Sequence, residues 1–366
     1  MDLPGARLNA IAPYFTMFPL TFPYTHLSSA RKGEWVLDPF CGRGTTNFAA
    51  RMHSLPTLGI DTNPVAVAIA QAKMSNATPK SIVKLYKRAI SEVRLPTDMP
   101  NGDFWNRAYH KKTLIDICKV REYLISARNS SATKALRGIM LGILHGPLSK
   151  NVPSYLSNQM PRTFSTKPSY SVKYWKDNSY VAPEVDVLSL ITRKASYFYS
   201  QLPPKVNGSI ILFDATKDFS NAASHDFSWV ITSPPYLGMK TYHTDQWVRE
   251  WFLGGQSRPN YRNRRGISTS DSTVMTMKLT RVWDNVSSVC HKGARLIVRF
   301  GAIPSNRKNF REIILTSIDN SIAGWRVTSI TDAGKPDKCS RQSNQFVHKP
   351  KNAAINEVDI SAKLDD

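Results

Sequence analysis

Asp38, Gly42 and Gly44 stand just past a short apolar run, Trp35-Val36-Leu37, in the stretch EWVLDPFCGRGTT at residues 34–46. In open α/β sheets ligands lie beyond the carboxyl ends of the strands, so a carboxylate and two glycines placed there suit a small-molecule site. Glycine lets the backbone approach such a ligand closely. No Lys follows Gly44 and the third glycine of the dinucleotide fingerprint is missing, which weakens triphosphate and nicotinamide readings. A second run, Thr57 to Ile60, leads into Asp61, where a second-strand acid would bind ribose hydroxyls. Together these residues predict a ribose-bearing ligand, although a Gly turn in an ordinary α/β domain reads the same way.

Far downstream a third β-prone run, Trp229 to Thr232, ends in TSPPY at residues 232–236. LDPFCGRGTT resembles the Asp-Pro-Phe-x-Gly-x-Gly-Thr motif of amino-group DNA methyltransferases, and TSPPY resembles their catalytic motif in its Ser-Pro-Pro-Tyr form. The resemblance implies a doubly wound, Rossmann-like α/β fold and S-adenosyl-L-methionine (AdoMet) as methyl donor. It places Asp38, Pro39, Phe40, Gly42, Gly44, Thr45 and Asp61 at the cofactor. It makes Phe18, of Phe18-Pro19, part of the cofactor wall, although Phe22-Pro23 repeats the pair. Asp214, after the third expected strand, matches by position an acid that approaches the adenine ring. Ser233, Pro234, Pro235 and Tyr236 take the catalytic positions, with Tyr236 expected to stack on a base flipped from the duplex. Ser in the first position is the form usual among cytosine-N(4) enzymes, and some adenine-N(6) enzymes share it. RNA amino-group methylation and a non-catalytic DNA-binding protein on a decayed methylase fold are the other readings.

Composition agrees with a nucleic-acid partner. The 366 residues hold 49 Lys and Arg against 27 Asp and Glu, a net charge of +22, the footprint of a polyanion-binding chain. Double-stranded DNA is the expected partner, with a cognate restriction endonuclease open as a second. There is no run of 18 apolar residues and no signal-like N-terminus, so the chain reads as cytoplasmic, without membrane association. Cys41, Cys118, Cys290 and Cys339 form no Cys-x-x-Cys pair and the eight histidines show no ligand spacing, so no metal is expected. None of the cysteines follows a proline, which leaves no candidate for the Pro-Cys nucleophile of ring-carbon cytosine methylation.

The elements that must position these groups can be read in turn. Helices are expected from Pro64, over 81–93, 104–125, 133–144, 184–201, 244–252, 271–290 (closed by Gly293) and 309–323. Strands are expected at 206–213, at ARLIVRF and at 325–330 paired with 344–347. Residues 146–183 mix prolines, aromatics and bases too irregularly for a connector. Arg162, Lys167 and Tyr170 there suit phosphate contact with base stacking, or a loop packed by its own aromatics. Arg258, Arg262, Arg264 and Arg265 form the sharpest basic cluster, a DNA contact or a solvated face. The expected partition is a catalytic domain in two parts, 1–95 and 205–348, an insertion at 96–204 that would read the target, and a tail at 349–366.

Overall fold

The computed structural model describes residues 5–14, 18–146, 152–157, 167–223, 225–237, 246–261, 267, 271–301, 310–334 and 357–365. The chain divides into two units, one of residues 14–70, 203–241 and 265–366, the other of residues 1–13, 71–202 and 242–264.

In the first unit the apolar runs become strands: β1 (Trp35–Asp38), β2 (Thr57–Asp61), β3 (Gly208–Leu212), β4 (Phe227–Thr232), β5 (Cys290–Phe300), β6 (Trp325–Gly334) and β7 (Glu357–Leu364). They form one sheet in the order β3-β2-β1-β4-β5-β7-β6. β3, β2, β1, β4 and β5 pair in parallel, while β7 runs antiparallel to both β5 and β6. The parallel strands read as nearly unbroken apolar runs because both faces of the sheet are covered. Val36, Trp229, Ile231 and Ile297 turn to one face, with Phe18, Phe22, Ala49 and Ala50 of the N-terminal segment and of helices α1 (Thr21–His26) and α2 (Thr45–Met52). Leu37, Val230, Leu296 and Val298 turn to the other, with Met275, Trp283 and Ile314 of α11 (Ser272–Ser287) and α12 (Phe310–Asp319). Helices on both faces of a largely parallel sheet make the doubly wound, Rossmann-like α/β fold expected from the motifs.

The second unit is helical. It holds α4 (Pro79–Glu92), α5 (Asp103–Ala108), α6 (Lys111–Ser126), α7 (Ser131–Ile143), α8 (Pro168–Asp177), α9 (Val187–Tyr199) and α10 (Trp247–Phe252), while α3 (Pro64–Lys73) begins in the sheet unit. Reciprocal capping boxes start α4 (Thr78 with Ser81) and α7 (Ser130 with Thr133). One aromatic of the irregular stretch, Trp175, joins its core, while Tyr170 and Tyr180 are exposed. Trp175 is 0% exposed, its ring 5.6 Å from that of Phe104, which in turn lies 4.8 Å from Trp247. Lone aromatics in a loop cannot be told from core aromatics until the helix that carries them is seen, and α8 presents Ser171 and Trp175 on its buried face.

Several expectations are corrected. The helix over 104–125 is two helices. Tyr109 adopts an extended backbone (φ −133°, ψ 144°) and its hydroxyl donates to the Leu144 carbonyl at 2.9 Å, a tertiary bond that breaks the run. Gly293 does not close α11, which ends at Ser287; it lies within β5 at φ +81°. The partner of β6 is β7, inside the expected tail. The expected partner at 344–347 lies outside the described residues. The helical unit gathers residues from three separate parts of the chain.

Candidate active site

The strand order reverses between β1 and β4, because the chain leaves β1 towards β2 and β3 and returns to build β4, β5, β7 and β6 on the opposite side. A crevice opens at such a switch point. The two motifs follow the carboxyl ends of those two strands. Asp38 ends β1 and Thr232 ends β4, and the Thr232 hydroxyl donates to Asp38 Oδ1 at 2.6 Å. A second tie runs parallel to it, from the Thr46 hydroxyl to the Ile231 carbonyl at 3.1 Å.

Asp38 is 2% exposed and also accepts from the Phe40 amide at 3.1 Å. Burial raises its pKa to about 7, against the hydrogen bonds from Thr232 and Phe40, and the Asp61 charge adds to the rise. This carboxyl therefore locks the motif ends together from beneath. Pro39 is buried beside it, and the Phe40 ring packs on the sheet core.

Asp61 is half-buried at the end of β2. Its oxygens accept from the Gly42 amide at 2.9 Å and the Asn63 amide at 2.7 Å, so the acid of one loop shapes the glycine turn of the other. Gly42 (φ +49°) and Gly44 (φ +71°) both lie in the left-handed region. Space separates their roles: a Cβ on Gly42 meets nothing within 4 Å, whereas one on Gly44 falls 2.7 Å from the Ala70 Cβ of α3. Gly42 thus leaves open room for a ligand, and Gly44 lets α2 and α3 meet. Gly44 has no side chain with which to cap α2, so the amides of the first turn, at the buried Thr45 and Thr46, are available to one. Open space above the turn, a carboxylate at the second strand and uncapped amides fit an adenosyl amino acid.

Asp214 lies two residues beyond β3, where Oδ1 accepts from the amide and the hydroxyl of Thr216 at 3.0 and 2.8 Å, a local turn. Phe18 is 5% exposed and its ring sits 5.0 Å from that of Phe22, so both rings of the repeated Phe-Pro pair are core.

In the second motif Ser233 is 8% exposed and its hydroxyl donates to the Arg299 carbonyl at 2.8 Å. With its proton committed, the oxygen faces any further partner as an acceptor. Pro234 is buried and Pro235 half-buried. Tyr236 departs from expectation. It is 3% exposed, its ring meets Phe300 edge-on at 5.7 Å, and its hydroxyl donates to Glu357 Oε1 at 2.9 Å. Burial first, then the charge and hydrogen bond of Glu357, hold its pKa well above the usual phenol value. A ring so enclosed is not presented to a base in this conformation.

Arg299, Glu357, Arg43 and Tyr14 are absent from the sequence reading. Arg299 pairs with Asp359 of β7 through two 2.7 Å bonds. Glu357, 2% exposed, opens β7. Its signal was legible, because Val358, Ile360, Ala362 and Leu364 alternate with polar residues.

Among the expected DNA contacts, Lys167 stands at the N-terminal boundary of α8 and is exposed, Tyr170 on that helix is 58% exposed, and Arg258 is exposed. Arg162, Arg262, Arg264 and Arg265 lie outside the described residues. No cluster of three or more His, Cys, Asp or Glu suited to a metal occurs among the described residues, and no described helix is long and apolar enough to cross a membrane.

Residues 4–72 match the family model described as DNA methylase, the N6/N4 amino-group class. The stretch that builds the glycine turn carries that family's signature. The match covers β1, β2 and the loops that follow them, and it supports AdoMet as the methyl donor and methyl transfer as the reaction. No curated protein matches the chain. Among solved structures the chain is similar to the rRNA methyltransferase AviRa from Streptomyces viridochromogenes, at 11% identity over 99% of this chain and 94% of that one, TM-score 0.37. An rRNA methylase from Streptococcus thermophilus matches at 7% identity over 96% and 99%, TM-score 0.36. TrmN from Thermus thermophilus matches at 9% identity over 98% of this chain and 52% of its own, TM-score 0.37. Likeness at this level carries no weight for substrate.

Proposed function

We propose that the protein transfers the methyl group of AdoMet to the exocyclic N(4) amino group of cytosine in double-stranded DNA. The observation that carries this reading is the 2.6 Å bond from Thr232 to Asp38, which ties the ends of the glycine-turn and Ser-Pro-Pro-Tyr strands together at the switch point of the sheet. When bound, AdoMet supplies an electrophilic methyl on its sulfonium.

The chain's own residues answer the other half of the problem. An exocyclic amine is a poor nucleophile because its lone pair is delocalised into the base ring. Ser233, whose proton is held by the Arg299 carbonyl, accepts one amino hydrogen, and the carbonyl of Pro234 accepts the other. Two acceptors so placed draw the nitrogen towards tetrahedral geometry and localise its lone pair. Pro234 and Pro235 fix φ on either side of that carbonyl. Tyr236 acts as a positioning residue, fastening the turn to β7 through Glu357. Proximity and alignment then supply much of the rate.

Charge supports a nucleic-acid substrate. The helical unit contains 26 Lys and Arg against 11 Asp and Glu, which is +15 of the chain's +22. Arg162, Lys167, Tyr170, Arg258, Arg262, Arg264 and Arg265 are proposed to lie along the DNA, the arginines on phosphates. Incubating the purified chain with unmodified DNA and labelled AdoMet, then resolving the nucleosides by mass spectrometry, tests the reading. N(4)-methylcytosine is expected. N(6)-methyladenine would replace the base while keeping the mechanism, and label confined to RNA would replace the substrate.

A further inference from the structure

Arg43 sits between the two left-handed glycines, and it is the only basic side chain of the turn from Asp38 to Thr46. The residue is partly buried and its Nε is wholly so, without a hydrogen-bond partner. One terminal nitrogen donates to the Tyr14 carbonyl at a long 3.4 Å. No carboxylate among the described residues pairs with it, and burial alone lowers its pKa to about 10. Guanidinium groups keep their charge in proteins, so a cation is here partly removed from water with no carboxylate among the described residues paired to it, at an energetic cost. An arginine with an unused donor in a ligand-binding turn is a site waiting for an anion.

The surrounding charges say where on the ligand that anion is. Asp61 at the second strand is an acid, which suits hydroxyls, ammonium and sulfonium and repels a carboxylate. Arg299 is already committed to Asp359. The uncapped first turn of α2 lies next to Arg43 in the chain and favours the same sign of charge. We propose that Arg43 is the counter-charge for the α-carboxylate of the donor's amino-acid moiety, so that the turn discriminates an amino-acid nucleoside from a bare one. The proposal rests on reading this turn as the methyl-donor site.

Calorimetry on the full chain tests it with two probes that share the thioether nucleoside. S-adenosylhomocysteine carries the amino acid, and 5′-methylthioadenosine lacks it. For the wild type, S-adenosylhomocysteine should bind the more tightly. Arg43→Gln should weaken S-adenosylhomocysteine roughly 10- to 100-fold, the range for a charge-assisted hydrogen bond, and change 5′-methylthioadenosine by less than about 3-fold. Arg43→Lys should restore part of the loss. The melting temperature of ligand-free Arg43→Gln should equal or exceed that of the wild type, since an unpaired charge has been removed. Equal weakening of both probes, or a lowered ligand-free melting temperature, would make Arg43 a packing residue and overturn the proposal. A wild type that binds neither probe would instead remove the cofactor reading, and the proposal with it.

Discussion

Gly42 and Gly44 share a motif and a positive φ, yet a methyl group added to each meets different surroundings. Gly44→Ala drives a Cβ to within 2.7 Å of Ala70, so the expected result is overpacking, a loss of about 1–3 kcal/mol in urea unfolding. Gly44 is thus a poor probe of cofactor binding, because its variants perturb the α2–α3 contact first. Gly42→Ala meets open space and carries only backbone strain of about 1 kcal/mol. It should fold and bind S-adenosylhomocysteine more weakly in calorimetry, whereas unchanged affinity would take Gly42 out of the site. Ser233→Ala should retain cofactor affinity and lose roughly 10- to 100-fold in kcat, the pattern of an interaction made mainly in the transition state. Asp38 gives a pH signature. Its folded pKa of about 7 lies above the ordinary aspartate value of about 3.9, so between those values the folded state binds the extra proton. Stability from this group is therefore present at low pH and is lost as pH rises through 7. Asp38→Asn keeps an acceptor for Thr232 and Phe40 without the charge, so the fall in melting temperature from pH 5 to pH 8 should be smaller in the variant. Parallel melting curves would refute the raised pKa.

At the scale of elements, the parallel half of the sheet was legible because each strand ends at residues that carry chemistry. Val36-Leu37 before Asp38, Leu58 to Ile60 before Asp61 and Val230-Ile231 before Thr232 mark their own ends. β7 carries the period-2 pattern, but a long intervening stretch separates it from β6, and the nearer apolar segment at 344–347 competes as the partner of β6 in the sequence. Sequence reading also missed the fate of Tyr236. Its identity fits a stacking role, but what encloses it is Glu357, which no local pattern connects to it. β7 occupies an interior position between β5 and β6, with Val358, Ile360, Ala362 and Leu364 buried. Ile360→Ala should therefore cost about 2–5 kcal/mol in urea unfolding, as for a core residue rather than a tail. A loss below 0.5 kcal/mol, the ordinary size of a surface change, would return the strand to the periphery.

For the whole molecule, charge and connectivity are the properties that no single element shows. A chain of net charge +22 should bind duplex DNA with a steep dependence on salt. Replacing Arg262, Arg264 and Arg265 with Gln should reduce the slope of log K against log[salt] by roughly one per lost phosphate contact, with a similar loss for every sequence tested. An unaltered slope would leave that loop a solvated face. The connectivity matters for how the protein is made. Asp38 and Thr232 are 194 positions apart, and α4 to α9 are all synthesised between them. At a rate of ~5–20 residues per second, β1 emerges about 10–40 s before its central neighbour exists. During that interval one edge of β1 has no strand to pair with and invites association with other nascent chains. Helices α4 to α9 can form meanwhile, so the Thr232–Asp38 junction is expected to form only after those helices have been made.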